Sequence, residues 1–306
     1  MSRRIVVTFA VSVLACLAAP IFSFAQANPA EVRKSKGELT KGVVSKTGYA
    51  PVNGLKMYYE IHGEGKPLVL LHGSFMTIDL AFGQLIPEFS KTRKVIAVEL
   101  QGHGRTADID RPLSFESLAD DVAELLKYLK SDSADVLGYS LGGGVALQLA
   151  IRHPQLVRKL VIASAVFKSD GWSAETRAAL HNITPELFEG TPIKKEYDRL
   201  APNPEQWPQL VNKIKQLGTV AYDFTAQAKS LQSPTLIILG DSDGIRLEHA
   251  AEMFRLRGGG VMGDLSGMPD SQLAVFPGTS HVGVMMRRDW LLSMVPAFLD
   301  AQKTHR

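Results

Sequence analysis

Residues 134–150 read ADVLGYSLGGGVALQLA and change character halfway. Ala134–Tyr139 is a short apolar run, the pattern of a strand covered on both faces. From Leu141 onward, small and apolar residues continue at a spacing that suits a helix. Ser140 stands at the break, between Gly138 and Gly142. A serine on a tight strand-to-helix turn takes strained dihedrals while neighbouring chain passes close on either side. Only glycine leaves room there without a Cβ clash. Such a turn lifts the hydroxyl above the sheet and aims the unpaired N–H groups of the helix N-terminus at the reacting atom. A glycine-rich turn can also serve close contact alone. The apolar strand before and the small-residue helix after favour Ser140 as a nucleophile.

The same alternation runs outward in both directions. LKMYYEIHG (55–63) alternates like a strand with one exposed face, and PLVLLHG (67–73) and KVIAVEL (94–100) are continuous apolar strands. KLVIASAVF (159–167), TLIILGD (235–241) and QLAVFPG (272–278) follow in the same style. Helical patterns lie between them at 114–130, 141–154, 246–256 and 289–303. The first opens with Ser114, Glu116 and Asp120 and closes with Lys127 and Lys130, matching the helix dipole. Repeated strand and helix predict a mostly parallel, three-layer α/β sheet. Residues 168–233 break the alternation. They offer short helix-like pieces, several prolines, Trp172 and Trp207, and predict a helical subdomain inserted between two strands.

A serine hydroxyl needs a base, and the base needs an orienting partner. Among eight histidines, His281 lies in FPGTSHVG, just past a strand and before the last helix. Loops at strand C-termini are where open α/β sheets place chemistry. His181 and His249 fall on predicted helix surfaces, His153 ends a helix, and His62 follows a strand. For the acid, TLIILGDSDG offers Asp241 and Asp243. Asp243 lies further out in the loop and is preferred for the imidazole, with Asp241 expected to bond loop backbone. Donors for a developing oxyanion are expected from the N–H of Leu141 and the N–H of Ser74, with Phe75 as the second choice for the latter. His72 is expected to brace that loop. Phe75, Met76 and Tyr139 are expected to line a substrate pocket.

These motifs together resemble an α/β-hydrolase-fold serine hydrolase with a helical lid. The matching residues are LLHGS (70–74), QGHGR (101–105), GYSLGG (138–143), LGDSD (239–243) and GTSH (278–281), and the resemblance covers about residues 43–303. It implies a core of 43–167 and 234–306, a lid of 168–233, and the chain order Ser140, Asp243, His281. It implies cleavage of a small or medium hydrophobic ester or lactone through an acyl-enzyme, with no cofactor. A perhydrolase, a carbon–carbon bond hydrolase or a non-catalytic ligand-binding protein of the same fold are the alternatives. Relatives commonly carry aspartate and arginine before GHG, where this chain has Glu99 and Gln101. The glycine-rich stretch 257–271 is longer than usual and is expected to be a surface loop.

The remaining features bound the setting. The 306 residues are 45% hydrophobic and 21% charged, which suits one large α/β domain with an insertion. A net charge of +3, without a basic-aromatic run, argues against a nucleic-acid partner and leaves a small-molecule substrate. Residues 1–27 have a basic start, an apolar run and an Ala25-Gln26-Ala27 ending, the pattern of a cleaved signal peptide. Export to a bacterial periplasm or medium is expected, with no stable membrane association after cleavage. Residues 28–42 read as a linker. The single cysteine, Cys16, lies in the leader, so a mature chain would use no thiol chemistry. Two glycine runs imitate a dinucleotide fingerprint, at Gly102 and at Gly258, but neither leads from a strand into a helix. No H-E-x-x-H or paired cysteines suggest a metal.

Overall fold

The structure, a computed structural model, describes residues 44–302. The expected signal peptide 1–27 and linker 28–42, with Cys16, lie outside the described residues. The sheet comprises β1 (Val44–Val52), β2 (Leu55–His62), β3 (Lys66–Leu71), β4 (Arg93–Val98), β5 (Ala134–Tyr139), β6 (Val157–Ala163), β7 (Thr235–Ser242) and β8 (Gln272–Ser280). Its order is β1-β2-β4-β3-β5-β6-β7-β8. β1 and β2 pair antiparallel, as do β2 and β4, and every other neighbouring pair is parallel. The expected mostly parallel α/β sheet is therefore present.

Period-two alternation explains the layers. Val69 and Leu71 of β3 face one hydrophobic core, and Leu68 and Leu70 face the other. The first core is closed by α3 (Phe115–Tyr128) and α4 (Leu141–Arg152), through Leu118, Val122, Val145 and Leu149. The second is closed by α1 (Ile78–Phe82), α2 (Ile86–Phe89), α11 (Gly283–Met286) and α12 (Arg288–Asp300), through Phe82, Phe89, Val284 and Leu291. Burying each such large side chain contributes about 1.5–3 kcal/mol. Helix α3 begins as its sequence predicts: Ser114 and Ser117 form a capping box.

The sequence reading assigned no strand to β1. The signal for it is Asn53-Gly54, whose φ values of +46° and +86° make a two-residue hairpin turn. Asn53 also donates to Asp121 of α3 at 3.0 Å, tying the hairpin to the core.

Between β6 and β7 the chain forms α5 (Ala174–His181), α6 (Pro192–Leu200), α7 (Trp207–Thr219) and α8 (Thr225–Ser230), with three 3-10 turns. Thr191 caps α6 at its N-terminus and Pro192 occupies its first position, where the missing N–H is not needed. Backbone bonds close the base of this segment: Ser169 donates to Tyr222 at 3.0 Å and Phe224 to Phe167 at 2.9 Å. α9 (Leu247–Leu256) and the short α10 (Gly263–Ser266) lie between β7 and β8. The stretch 257–271 lies at the surface, with Leu265 80% exposed.

One histidine departs from its reading. His249 is not on a helix surface but buried in α9, its ring stacked on Phe167 at 4.2 Å. The Phe167 N–H donates to its Nε2 at 3.2 Å, and burial lowers its pKa to about 4, so the ring is neutral. One turn of α9 faces inward, which a single histidine among charged residues did not reveal.

Candidate active site

Ser140 sits between the end of β5 and the start of α4 with φ +53° and ψ −115°. This strained conformation is fixed from several sides. The Ser140 N–H donates to Ala163 O at 2.9 Å, and the Gly142 N–H to His72 O at 3.0 Å. A Cβ on Gly138 would strike the Gly142 carbonyl, and one on Gly142 would strike the Leu71 carbonyl. The glycines therefore permit the close approach expected around the serine. The N-terminus of α4 places its positive dipole end beside the hydroxyl.

The structure brings Ser140, His281 and Asp243 together. His281 follows β8 and Asp243 follows β7, each at the C-terminal end of its strand. His281 Nε2 lies 3.0 Å from Ser140 Oγ, and Nδ1 lies 2.7 Å from Asp243 Oδ1. Ser164, just past β6, donates from its hydroxyl to Asp243 Oδ2 at 2.6 Å. Burial alone would raise the pKa of Asp243. The charge of His281 and hydrogen bonds from His281, Ser164 and the Gly240 backbone outweigh it and hold the carboxyl below its usual value. An ionised acid in turn fixes the His281 tautomer, with the proton on Nδ1 and Nε2 free to accept from the serine.

Asp241 has a different place. Its carboxylate accepts from the N–H groups of Gly278 at 2.9 Å and Thr279 at 3.1 Å, holding the end of β8 in register. Those bonds lower its pKa. The two aspartates of LGDSD thus divide into one that holds the loop and one that faces the imidazole.

The loop after β3 carries Ser74, Phe75 and Met76 to the same place. A Cβ on Gly73 would come within 2.8 Å of the Tyr139 ring and 3.4 Å of Ser140 Cβ, so this loop lies directly against the serine. Among the described residues, none of the N–H groups of Leu141, Ser74 and Phe75 is taken by a protein acceptor. His72 braces the loop from behind. Its Nε2 accepts from the Leu100 N–H at 3.1 Å, which leaves the proton on Nδ1 to donate to Gly73 O at 2.8 Å. Full burial lowers its pKa to about 3, consistent with that neutral ring.

Tyr139 contributes a wall and a support: it is buried, and its hydroxyl donates to the His281 carbonyl at 3.2 Å. Phe75 adopts φ +63° and packs its ring against Phe188 at 4.7 Å and Trp207 at 5.6 Å, so it joins the loop to the helical segment. Sequence reading did not assign roles to Ser164 or to Trp172, whose ring meets that of His281 edge-on at 5.7 Å. The position of Ser164 directly after KLVIA was a usable signal, since the other polar groups also follow strand ends.

Above these residues opens a cavity of about 600 Å³, walled mostly by apolar side chains from the core and from 168–233. Phe75, Met76 and Tyr139 line it, as do Ser74 and Leu141. Among the described residues its lining contains no lysine or arginine, and its carboxylates are Glu175 and Asp243. Glu99 and Gln101 belong to other networks. Glu99 is buried against the Arg105 backbone and guanidinium, and burial raises its pKa to about 7. Gln101 bonds Arg111 at 2.9 Å, which bonds Asp121 at 3.1 Å. Among the described residues no cluster of histidine, cysteine, aspartate and glutamate has the geometry to hold a metal.

Comparison with known proteins agrees with this architecture. The alpha/beta hydrolase fold family matches residues 66–206. The serine hydrolase BPHL of Mus musculus is 30% identical over 225 residues, covering 67% of this chain and 72% of that protein. A 2-hydroxymuconate semialdehyde hydrolase of Pseudomonas sp. (strain CF600) is 37% identical over 112 residues, but the match spans only 36% of this chain and 40% of that protein. The structure of a meta-cleavage product hydrolase from Pseudomonas fluorescens IP01 superposes with a TM-score of 0.65 at 21% identity, covering 84% of this chain and 98% of that one. A shared fold, a relative similar over most of both lengths, and a serine at the turn between β5 and α4 lead to one assignment: the chain belongs to the α/β-hydrolase-fold family of hydrolases.

Proposed function

We propose that this chain is a serine hydrolase that cleaves small or medium, uncharged, apolar esters or lactones through an acyl-enzyme. The observation that carries the reading is the continuous chain Ser140–His281–Asp243, with contacts of 3.0 and 2.7 Å, opening into an apolar cavity that holds no lysine or arginine among the described residues. Ser140 Oγ attacks the carbonyl carbon while His281 Nε2 takes its proton. Asp243 holds the imidazole and stabilises its charge. The N–H groups of Leu141 and Ser74 receive the oxyanion. His281 returns the proton to the leaving alkoxide, then activates water to release the acid. Residues 168–233 act as the lid that shapes the pocket, and Trp172 packs its ring against His281 at 5.7 Å.

Carbon–carbon cleavage is the nearest rival, because relatives named as 2-hydroxymuconate semialdehyde and meta-cleavage product hydrolases share the fold. A muconate derivative carries carboxylate. Burying an unpaired carboxylate in an apolar cavity is strongly unfavourable, and this lining offers Glu175 and Asp243 instead of a cation. A cavity of about 600 Å³ also lies within the range of small-molecule sites, roughly 300–1,000 Å³. The test is an acyl-chain series of p-nitrophenyl esters beside p-nitrophenyl hemisuccinate, with wild type and Ser140→Ala. Wild type should turn over the neutral esters on the order of 100-fold or more faster than the hemisuccinate. Faster turnover of the hemisuccinate would transfer the reading to carboxylate substrates. Cleavage after Ala27 and export belong to the same proposal. Exported protein whose intact mass retains Met1 would end that part of it.

A further inference from the structure

The two residues at the end of β6 touch both ends of the serine-to-acid relay. The Ala163 carbonyl accepts the Ser140 N–H at 2.9 Å. Ser164 is fully buried, takes φ +50°, docks its N–H on Ile238 O of β7 at 2.8 Å, and donates its hydroxyl to Asp243 Oδ2 at 2.6 Å. The left-handed region disfavours any residue with a Cβ and favours glycine. What serine adds there over glycine is a hydroxymethyl group, and its oxygen is spent on Asp243. Ser164 does not line the cavity.

We propose that Ser164 is a positioning residue, whose hydroxyl fixes the Asp243 carboxylate so that Oδ1 stays aimed at His281 Nδ1. The proposal rests on the catalytic reading of Ser140, His281 and Asp243 given above. A carboxylate held only through Oδ1 can turn about its Cβ–Cγ bond. The Ser164 bond at Oδ2, beside the smaller contribution of the Gly240 backbone, restrains that rotation, and an O–H donor to an ionised oxygen is among the stronger hydrogen bonds. One serine thus ties the end of β6 to the acid after β7, while the preceding carbonyl ties the same strand end to the nucleophile after β5.

Two variants separate hydroxyl from backbone. Ser164→Gly removes the hydroxyl and relieves the positive φ, whereas Ser164→Ala removes the hydroxyl and keeps the strain. Both should lower kcat about 10- to 100-fold on the best p-nitrophenyl ester, the size of a lost charge-assisted bond, with KM little changed. The glycine variant should melt higher than the alanine variant. Equal loss of kcat at unequal stability would isolate the hydroxyl. A glycine variant with wild-type kcat, or a rise in KM at unchanged kcat, would overturn the proposal. Ser140→Ala runs alongside: turnover there within about tenfold of wild type would bring down the catalytic reading itself. An inactive Ser140→Ala beside fully active Ser164 variants would bring down only the role of Ser164.

Discussion

On the sheet side of the cavity, Ser140, Asp243 and His281 each sit just past the end of a parallel strand, and backbone contacts hold them there. On the other side the wall is made of short helices held by rings. α5 buries none of its residues, α6 buries only Tyr197, and α8 only Ala228. This side is anchored by the cluster of Phe188, Trp207 and Tyr197, with ring centres 5.2 and 4.9 Å apart, into which Phe75 reaches from the core, by the buried Leu210, Val211 and Ile214 of α7, and by a few tethers such as Ser173 N–H to Gly244 O at 2.8 Å and Lys213 to Asp108 at 2.7 Å. One side is specified by hydrogen bonds and steric exclusion, which tolerate almost no change. The other is specified by apolar area, which many side chains can supply. Chemistry should therefore be brittle on the first side and selectivity malleable on the second.

The sharpest test of that contrast is Ser140→Ala, expected to lower kcat by about 10⁴-fold or more in purified protein with an unchanged circular dichroism spectrum. The two aspartates come next. Asp243→Asn should lower kcat by roughly 10³- to 10⁴-fold, because an amide cannot hold the required tautomer. Asp241→Asn should lower it less than about tenfold, because it weakens the end of β8 rather than the imidazole. The reverse ranking would exchange their roles. On the opposite side, Phe188→Ala should destabilise by about 3–5 kcal/mol in denaturant melts and alter the preferred acyl length. A fall in kcat as large as that of Asp243→Asn would erase the distinction between the two sides.

The smallest effect is a pH dependence confined to the core. Glu99 has a folded pKa of about 7, raised from 4.5 by burial against the pull of Arg105. A raised folded pKa means that the native state binds the proton more tightly than the unfolded chain. Its contribution to stability is complete below pH 4.5 and is lost as pH rises through 7. With the pull of Arg105 already contained in that pKa, the loss should be about 3 kcal/mol at most. Thermal melts of Glu99→Gln should be flatter across that window than those of wild type. Equal slopes would show that the burial of Glu99 is relieved in solution.

The same contrast decides what could be read from the sequence. The core was legible because its constraints leave marks. GYSLGG shows the close approach of β5, α4 and the loop after β3, LGDSD closes the buried apolar run of β7, and GTSH closes the apolar run of β8, although that strand lies at the sheet edge and is half-exposed. Asp243 could be preferred over Asp241 because one more pair of residues beyond the strand gives reach. The antiparallel edge strand β1 escaped, although Asn53-Gly54 marked its turn. Ser164 escaped although its place after KLVIA marked it, because a serine after a strand is common and its positive φ leaves no trace in composition. Phe75, read as a pocket residue, also proves to be a strut. That depended on Phe188 and Trp207, more than 100 residues away. Contacts between rings follow from three-dimensional placement, and no local pattern encodes them.

The closed base of the helical segment has a consequence for protein engineering. Lys168 and Asp223 form an isolated antiparallel β-bridge, and the backbone bonds beside it bring residues 169 and 222 side by side. Residues 169–222 thus form a cassette whose ends meet, and a foreign cassette with the same end-to-end spacing could be transplanted without re-threading the sheet. Phe75 sets the condition on such a chimaera. A donor cassette that brings no aromatic partner for this ring would strand it in solvent and loosen the loop that carries Ser74. Exchanges of selectivity by transplant should succeed where the graft carries its own counterpart to Phe188 and Trp207.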